Sequence, residues 1–358
     1  MKTRTLIVWT VVIGLLLVTG FAFGAPQQEG AAADRLWTRT TPSVVVGFGA
    51  GGGTDTSVRP VVAKMQEYLG ETINVINMPG ASSAVAAEHV LALPADGYTM
   101  FATGSGPLSG FRVMGLSDST WRDWVGWHPF IGPAALLVRP DSPIKTYADA
   151  IRVMKERQLN FAISGYGVGP HVLAEAMFEV AGVTDVNYVT SGSCRESAVN
   201  TIAGEADIAM CTFSAAVDFV KAGELVALTV TSTEPYVIDG REPIPAMPAV
   251  LPGSDHIPLL SETWPILIRR DTPQHILDKL TEAFLWAIEQ PSIIEYAEGQ
   301  ALAVVGWHGE EADRFLSVSE AGYSWTLYDA GLAEKSPAAL NIPRISEHDW
   351  GREKATIR

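Results

Sequence analysis

The chain has 358 residues, 47% hydrophobic and 18% charged, with 33 Gly, 22 Pro and 10 Trp spread along it. That is enough apolar material for one large domain or two smaller ones, and it excludes a disordered chain or a coiled coil. With 25 basic against 40 acidic residues the formal charge is −15, so there is no chain-wide basic footprint for nucleic acid or an anionic membrane.

Lys2 and Arg4 precede an apolar run over 6–18, broken by Thr10 and Gly14, and small residues follow at Gly20, Ala22, Gly24 and Ala25. This order of basic, apolar and small residues predicts a secretory signal peptide over 1–24, with a polar linker over 25–40. The run is shorter than the roughly 20 residues of a spanning helix. A mature chain that is exported and not inserted in the membrane is the expectation.

Strands and helices then alternate. Residues 43–48 form a β-branched run ending in glycines, and 54–69 places Val58, Val61, Val62, Met65 and Leu69 on one helical face. Strands are predicted at 73–76, 98–103, 134–138, 160–164, 186–190, 206–212, 225–231 and 264–269. Helices are predicted at 81–93, 146–155, 172–180, 193–203, 214–222, 273–289 and 312–328. The stretch 235–258, rich in Pro and Gly, reads as a long ordered loop. This alternation argues for an α/β fold with largely parallel sheets, and the length for two sheets with a cleft between them.

The loop Gly47-Phe48-Gly49-Ala50-Gly51-Gly52-Gly53-Thr54-Asp55 joins the first strand to the first helix. Gly47, Gly49 and Gly52 satisfy the dinucleotide spacing, yet the second strand ends without the carboxylate that would hold a ribose. What remains is either a tight turn or a glycine backbone whose N–H groups, at a helix start, hold an anion. No metal-ligand spacing, no paired CxxC and no nucleophile elbow occurs, so no cofactor is expected. Cys194 and Cys211 read equally as one disulfide or as two buried thiols.

In order along the chain, this loop resembles the "PFxPGGxxD" opening of the extracytoplasmic solute receptors of tripartite tricarboxylate transporters, the TctC or Bug family. Asn77-Met78-Pro79-Gly80-Ala81 resembles its "NxPGA" turn, and Pro94-Ala95-Asp96-Gly97-Tyr98-Thr99 its "PADGYT" segment. Gly165-Tyr166-Gly167 with His171 resembles "GxGSxxH", and Trp264 with Thr272-Pro273 the late "W…TP" pair. The resemblance covers about 43–330.

It implies a two-lobed periplasmic binding protein fold of type II, each lobe a mainly parallel sheet flanked by helices, with the ligand cleft between lobes. Lobe 1 would comprise 41–140 and 262–358, lobe 2 would comprise 141–261, and hinges would lie near Pro140 and 261–264. It also implies a small organic acid as ligand, large and small permease subunits as partners, and no catalysis. Carried onto this chain, the ligand-binding candidates are Phe48, Gly51, Gly52, Thr54, Asp55 and Ser105, then Gly165, Tyr166, Gly167, Val168 and Gly169, then Ser191 and Ser193.

Three departures bear on the ligand. Gly47 and Ala50 replace the family's two prolines, Val168 replaces the serine of "GxGSxxH", and Ser191-Gly192-Ser193 stands where many relatives carry a "YKG"-like segment. An acid smaller or more apolar than a di- or tricarboxylate becomes the expectation. Asp55 either touches ligand or caps the first helix. His171 is read as structural, Trp121, Trp124 and Trp127 as packing, and Arg195 as a surface charge or a carboxylate partner. A sensory receptor with a signalling partner, or an exported hydrolase of the same fold class, would share these features.

Overall fold

The computed structural model describes residues 36–37, 39–254, 257 and 261–357; the expected signal peptide lies outside them. In chain order the first half comprises β1 (Ser43–Val46), α1 (Gly53–Leu69), β2 (Asn74–Asn77), α2 (Ala84–Leu91), β3 (Thr99–Ala102), α3 (Ser105–Gly110), β4 (Trp124–Gly132), β5 (Ala134–Val138), α4 (Tyr147–Glu156) and β6 (Asn160–Ile163). The second half comprises α5 (Gly169–Ala181), β7 (Asn187–Thr190), α6 (Cys194–Ala203), β8 (Ile208–Thr212), α7 (Val217–Ala222), β9 (Val226–Val230), α8 (Met247–Val250), β10 (Glu262–Thr263), β11 (Ile266–Arg269), α9 (Gln274–Ile288), α10 (Pro291–Gly299), β12 (Ala303–His308), α11 (Gly309–Asp329) and α12 (Trp350–Lys354).

Two sheets result. One runs β10-β4-β11-β3-β1-β2, with β12 on β4, and the other runs β7-β6-β8-β5-β9. The pairs joined through helices, β1 with β2 and β3 and β6 with β7 and β8, are parallel. Strands β4, β5, β10 and β11, on either side of the crossings between sheets, run antiparallel to their neighbours. The chain passes from the first sheet to the second at Pro133, ahead of the expected Pro140. The run Ala134–Val138 is buried throughout and fits between β8 and β9, so it belongs to the second sheet.

Each sheet is buried on both faces, as sheets covered by crossover helices are. Val44 and Val46 of β1 face α1 and α9 with Val58, Met65, Leu280 and Phe284. Val45 points the other way, to Ala87, Val90, Phe101 and Trp124. In the second sheet Leu136, Phe161 and Met210 pack with Val172 and Met177, while Leu137, Ala162 and Cys211 pack with Ala198 and Val217. Trp121, Trp124 and Trp127 are buried in the first sheet's core, and Trp124 and Trp127 donate to Ser119 and Thr281 hydroxyls at 2.9 Å.

Helix α1 carries Pro60 in its interior. A proline has no N–H to give the carbonyl one turn back; that carbonyl, on Thr56, instead accepts the Tyr296 hydroxyl from α10 at 2.8 Å. The helix stops at Gly70, whose φ of 65° is the left-handed value glycine adopts without strain.

His128 in β4 is fully buried, with Nδ1 2.8 Å from the Thr263 hydroxyl and no partner on Nε2 among the described residues. Burial pushes its pKa down to about 3. The unfolded chain takes up this proton from pH 6.5 downward while the folded one refuses it. Stability is therefore full above pH 6.5 and falls with acid by up to about 1.4 kcal/mol per pH unit. In urea unfolding at pH 7, 6 and 5, His128→Phe is expected to lose this acid sensitivity.

Candidate functional site

Three helices of at least ten residues, α1, α5 and α6, begin at one cavity between the two sheets. It measures about 30 Å³, space for about two waters. Its walls include Phe48 and 52–54 at the start of α1, Val168 and Pro170 at the start of α5, and Ser193 and Cys194 at the start of α6. Pro107, Ser164, Thr212, Glu262 and Trp264 complete the lining.

The first N–H groups of a helix have no partner within it. Here α1 starts at Gly52 and α5 at Val168, neither supplying a side-chain cap. Both therefore present bare donors and the positive end of a long helix. Helix α6 differs, because the Ser193 hydroxyl accepts from Glu196 N–H at 3.2 Å. The Thr212 hydroxyl oxygen, buried in the same cavity wall, has no hydrogen-bond partner among the described residues.

Glycine at 53 sets how closely the two sheets approach. A Cβ there would fall 2.8 Å from the Thr212 hydroxyl and 3.3 Å from the Trp264 indole nitrogen. Thr212 ends β8 in the second sheet, so the contact spans the cleft. The Ser82 hydroxyl makes another such link, donating to the Tyr166 carbonyl at 2.6 Å.

Of the residues singled out by sequence, Phe48, Gly52, Thr54, Val168 and Ser193 line the cavity. Gly51 and Asp55 brace the loop behind it. The Asp55 carboxylate accepts from Gly51 N–H at 2.9 Å, Arg59 Nε at 2.8 Å and the Asn77 amide at 2.8 Å. The same amide also donates to the Phe48 carbonyl. Burial works to raise the Asp55 pKa, but the bonds from Arg59, Gly51 and Asn77 outweigh it and hold the carboxyl below its ordinary value.

Asp55→Asn is therefore expected to destabilise the protein by about 1–3 kcal/mol at pH 7. A depressed carboxyl stabilises above its unfolded pKa of 3.8. Chemical denaturation should show the gap between variant and parent closing as the pH falls below that value.

The remaining candidates sit around the cavity. The Ser105 hydroxyl accepts from Thr263 N–H at 3.1 Å. Gly167 N–H is taken by His171 Nδ1 at 3.0 Å, the structural role expected of that histidine. Ser191 accepts from the Asn200 amide. Tyr166 is half exposed. Gly165 and Gly167, at φ of 158° and 72°, turn the chain from β6 into α5. Gly169 faces Glu262. Arg195 stacks on Phe219, 4.7 Å from the ring centre.

Eight of the lining residues were not singled out as ligand contacts in sequence, among them Cys194, Thr212 and Glu262. Both cysteines are free thiols. Cys211 donates to the Cys194 carbonyl at 3.3 Å, and Thr212 N–H donates to the Cys194 sulfur at 3.2 Å. The Cys211 thiol, helped by Thr212 and against burial, holds the Cys194 pKa down to about 6. Glu262 responds in the opposite direction: burial, with the Cys194 sulfur adding, pushes its pKa up to about 8.

A protein-family model described as "Tripartite tricarboxylate transporter family receptor" matches residues 57–321. A Pseudomonas sp. (strain P51) protein, described as a UPF0065 protein in the tcbD-tcbE intergenic region, is 25% identical over 285 residues, covering 77% of this chain and 82% of its own. Among solved structures, MatC from Rhodopseudomonas palustris with bound malate superposes with a TM-score of 0.74 at 22% identity, over 81% of this chain and 100% of that one. R. palustris Rpa4515 with adipate gives the same TM-score and identity over 83% and 99%. These structures share the fold, two lobes each built on a helix-flanked sheet. With about three quarters of its length matched by the family model, the chain belongs to the receptors of the tripartite tricarboxylate transporter family.

Proposed function

We propose that this protein captures a small carboxylate in the cleft between its sheets and delivers it, outside the cytoplasm, to the large and small membrane subunits of a tripartite transporter. One observation carries this reading: the starts of α1, α5 and α6 converge on one cavity, two of them uncapped. Such donors bind an anion without a basic side chain, which suits a chain of charge −15. Solved relatives of the same fold hold malate and adipate.

The cavity favours a compact acid, because Val168 contributes no hydroxyl and the space between its walls is about 30 Å³. Ligand touching both lobes would shift the population towards the closed form, and the permease would read that shape. The basic–apolar–small order over 1–24 supports export.

A thermal-shift series against mono-, di- and tricarboxylates and neutral solutes tests the reading. One-site binding at a hundredfold excess over Kd stabilises by about 2.7 kcal/mol. A shift confined to carboxylates is expected. Shifts only with neutral solutes would contradict the anion site, and turnover of an ester panel would mark a hydrolase.

A further inference from the structure

Two thiols meet at the cavity wall. Cys194 is the first residue of α6, and Cys211 lies against it in β8, both within one apolar cluster of the second lobe. Their positions are unequal. Cys194 lines the cavity between the sheets, whereas Cys211 is wholly buried behind it. Opening of the lobes would therefore expose the first sulfur and keep the second covered.

The Cys194 sulfur is surrounded by donors. Thr212 N–H gives it one hydrogen bond at 3.2 Å, the Cys211 thiol gives another, and the Ser164 hydroxyl lies 3.6 Å away. It also sits at the positive end of α6. These surroundings favour the thiolate, the form that attacks disulfides, and its lowered pKa agrees. Cys211 is placed as the second partner, because its thiol reaches both the sulfur of Cys194 and, at 3.3 Å, its carbonyl. Since both thiols belong to one lobe, a bond between them does not depend on how the lobes stand.

We propose that Cys194 and Cys211 form a reversible disulfide site, oxidised by an external disulfide, and that this bond sets how tightly the cleft holds an anion. In the first step the Cys194 thiolate attacks one sulfur of the oxidant RSSR; a Cys194–SR bond forms and RS⁻ leaves. That RS⁻ takes the proton of the Cys211 thiol. The Cys211 thiolate then attacks the Cys194 sulfur and expels the second RS⁻, so the two cysteines lose two electrons and the oxidant gains them. The bond removes a negative charge from a wall that presents the bare donors of α1 and α5. Like charges repel strongly in a site shielded from water, so the oxidised form holds a carboxylate more tightly than the reduced one. The oxidant rests on the reading of the chain as exported, and the effect on affinity rests on the cleft reading above.

Incubation of the purified protein with oxidised glutathione at pH 7, followed by alkylation and peptide mass spectrometry, tests the site. One Cys194–Cys211 disulfide is expected, reversed by dithiothreitol. Cys211→Ser should instead accumulate a glutathione adduct on Cys194, and Cys194→Ser should leave Cys211 unmodified. Two alkylated thiols after oxidation, or an adduct on Cys211 in the Cys194→Ser protein, would overturn the site. Calorimetry with acetate, propanoate and succinate on the oxidised and reduced forms tests the effect on the cleft. At least one acid is expected to bind the oxidised form about fivefold or more tightly. Equal affinities, or tighter binding by the reduced form, would overturn that effect and leave the disulfide standing. Binding of none of the three by either form would overturn the effect together with the cleft reading, while the mass spectra still decide the disulfide. The unaltered protein answers both questions even if a variant does not fold.

Discussion

Gly53→Ala is expected to weaken ligand binding tenfold or more while leaving the free protein as stable as before, or slightly more so. Gly53 is the first residue of α1 and its φ is not left-handed, so alanine fits the local backbone and is favoured over glycine in helices by up to about 1 kcal/mol. The obstacle lies across the cleft. The added methyl would sit 2.8 Å from the Thr212 hydroxyl across the cleft, well inside contact distance, and 3.3 Å from the Trp264 nitrogen of its own lobe. Thr212 belongs to the second sheet, so opening of the two lobes would relieve this contact and its cost is expected to fall on closure. Calorimetry should show the lost affinity, and small-angle scattering should show that ligand no longer compacts the variant. Unchanged affinity would mean that ligand binds without bringing Gly53 and Thr212 together.

Glu262→Gln should stabilise the ligand-free protein, and the gain should grow with pH. Burial lifts the Glu262 pKa from 4.5 to about 8. Below pH 4.5 both folded and unfolded chains hold the proton. Between 4.5 and 8 the unfolded chain releases it and the folded chain does not, so this group's contribution falls by up to about 1.4 kcal/mol per pH unit. Glutamine does not titrate. Urea midpoints at pH 5, 6.5 and 8 should therefore show a gap that is near zero at the first and a few kcal/mol at the last. Cys194, held down to about 6 beside it, makes the parent's own profile a balance of opposite slopes, which is why the comparison with the variant is the informative quantity.

Much of this architecture was legible in the sequence. Val44–Val46, Ala134–Val138 and the helical spacing of Val58, Val61, Val62 and Met65 mark their elements by apolar period alone. The strand-to-helix turn at 47–55 was legible from its run of glycines, which fits a tight turn as well as an anion cradle. Strand β4 was not: Trp124–Gly132 carries Pro129 and two glycines, and it is buried on both faces, so no alternation shows. Strand β12 was hidden by a register shift between Val304 and Trp307.

Glu262 escaped notice for another reason. A single acid after a Pro-rich loop reads as surface charge, and only Gly104 and Gly169, brought together by the fold, show that the molecule makes room for it. The two thiols likewise needed coordinates, since spacing carries no distance.

The most direct measurement is a crystal structure of the protein grown with the acid that raises its melting temperature most. The account predicts that the carboxylate lies in the cavity between Gly53, Ser193 and Thr212, accepting N–H groups from the start of α1. A carboxylate found instead in the groove lined by Ile131, Pro133, Tyr236 and Val237, with Gly53 and Thr212 unchanged in their spacing, would contradict it.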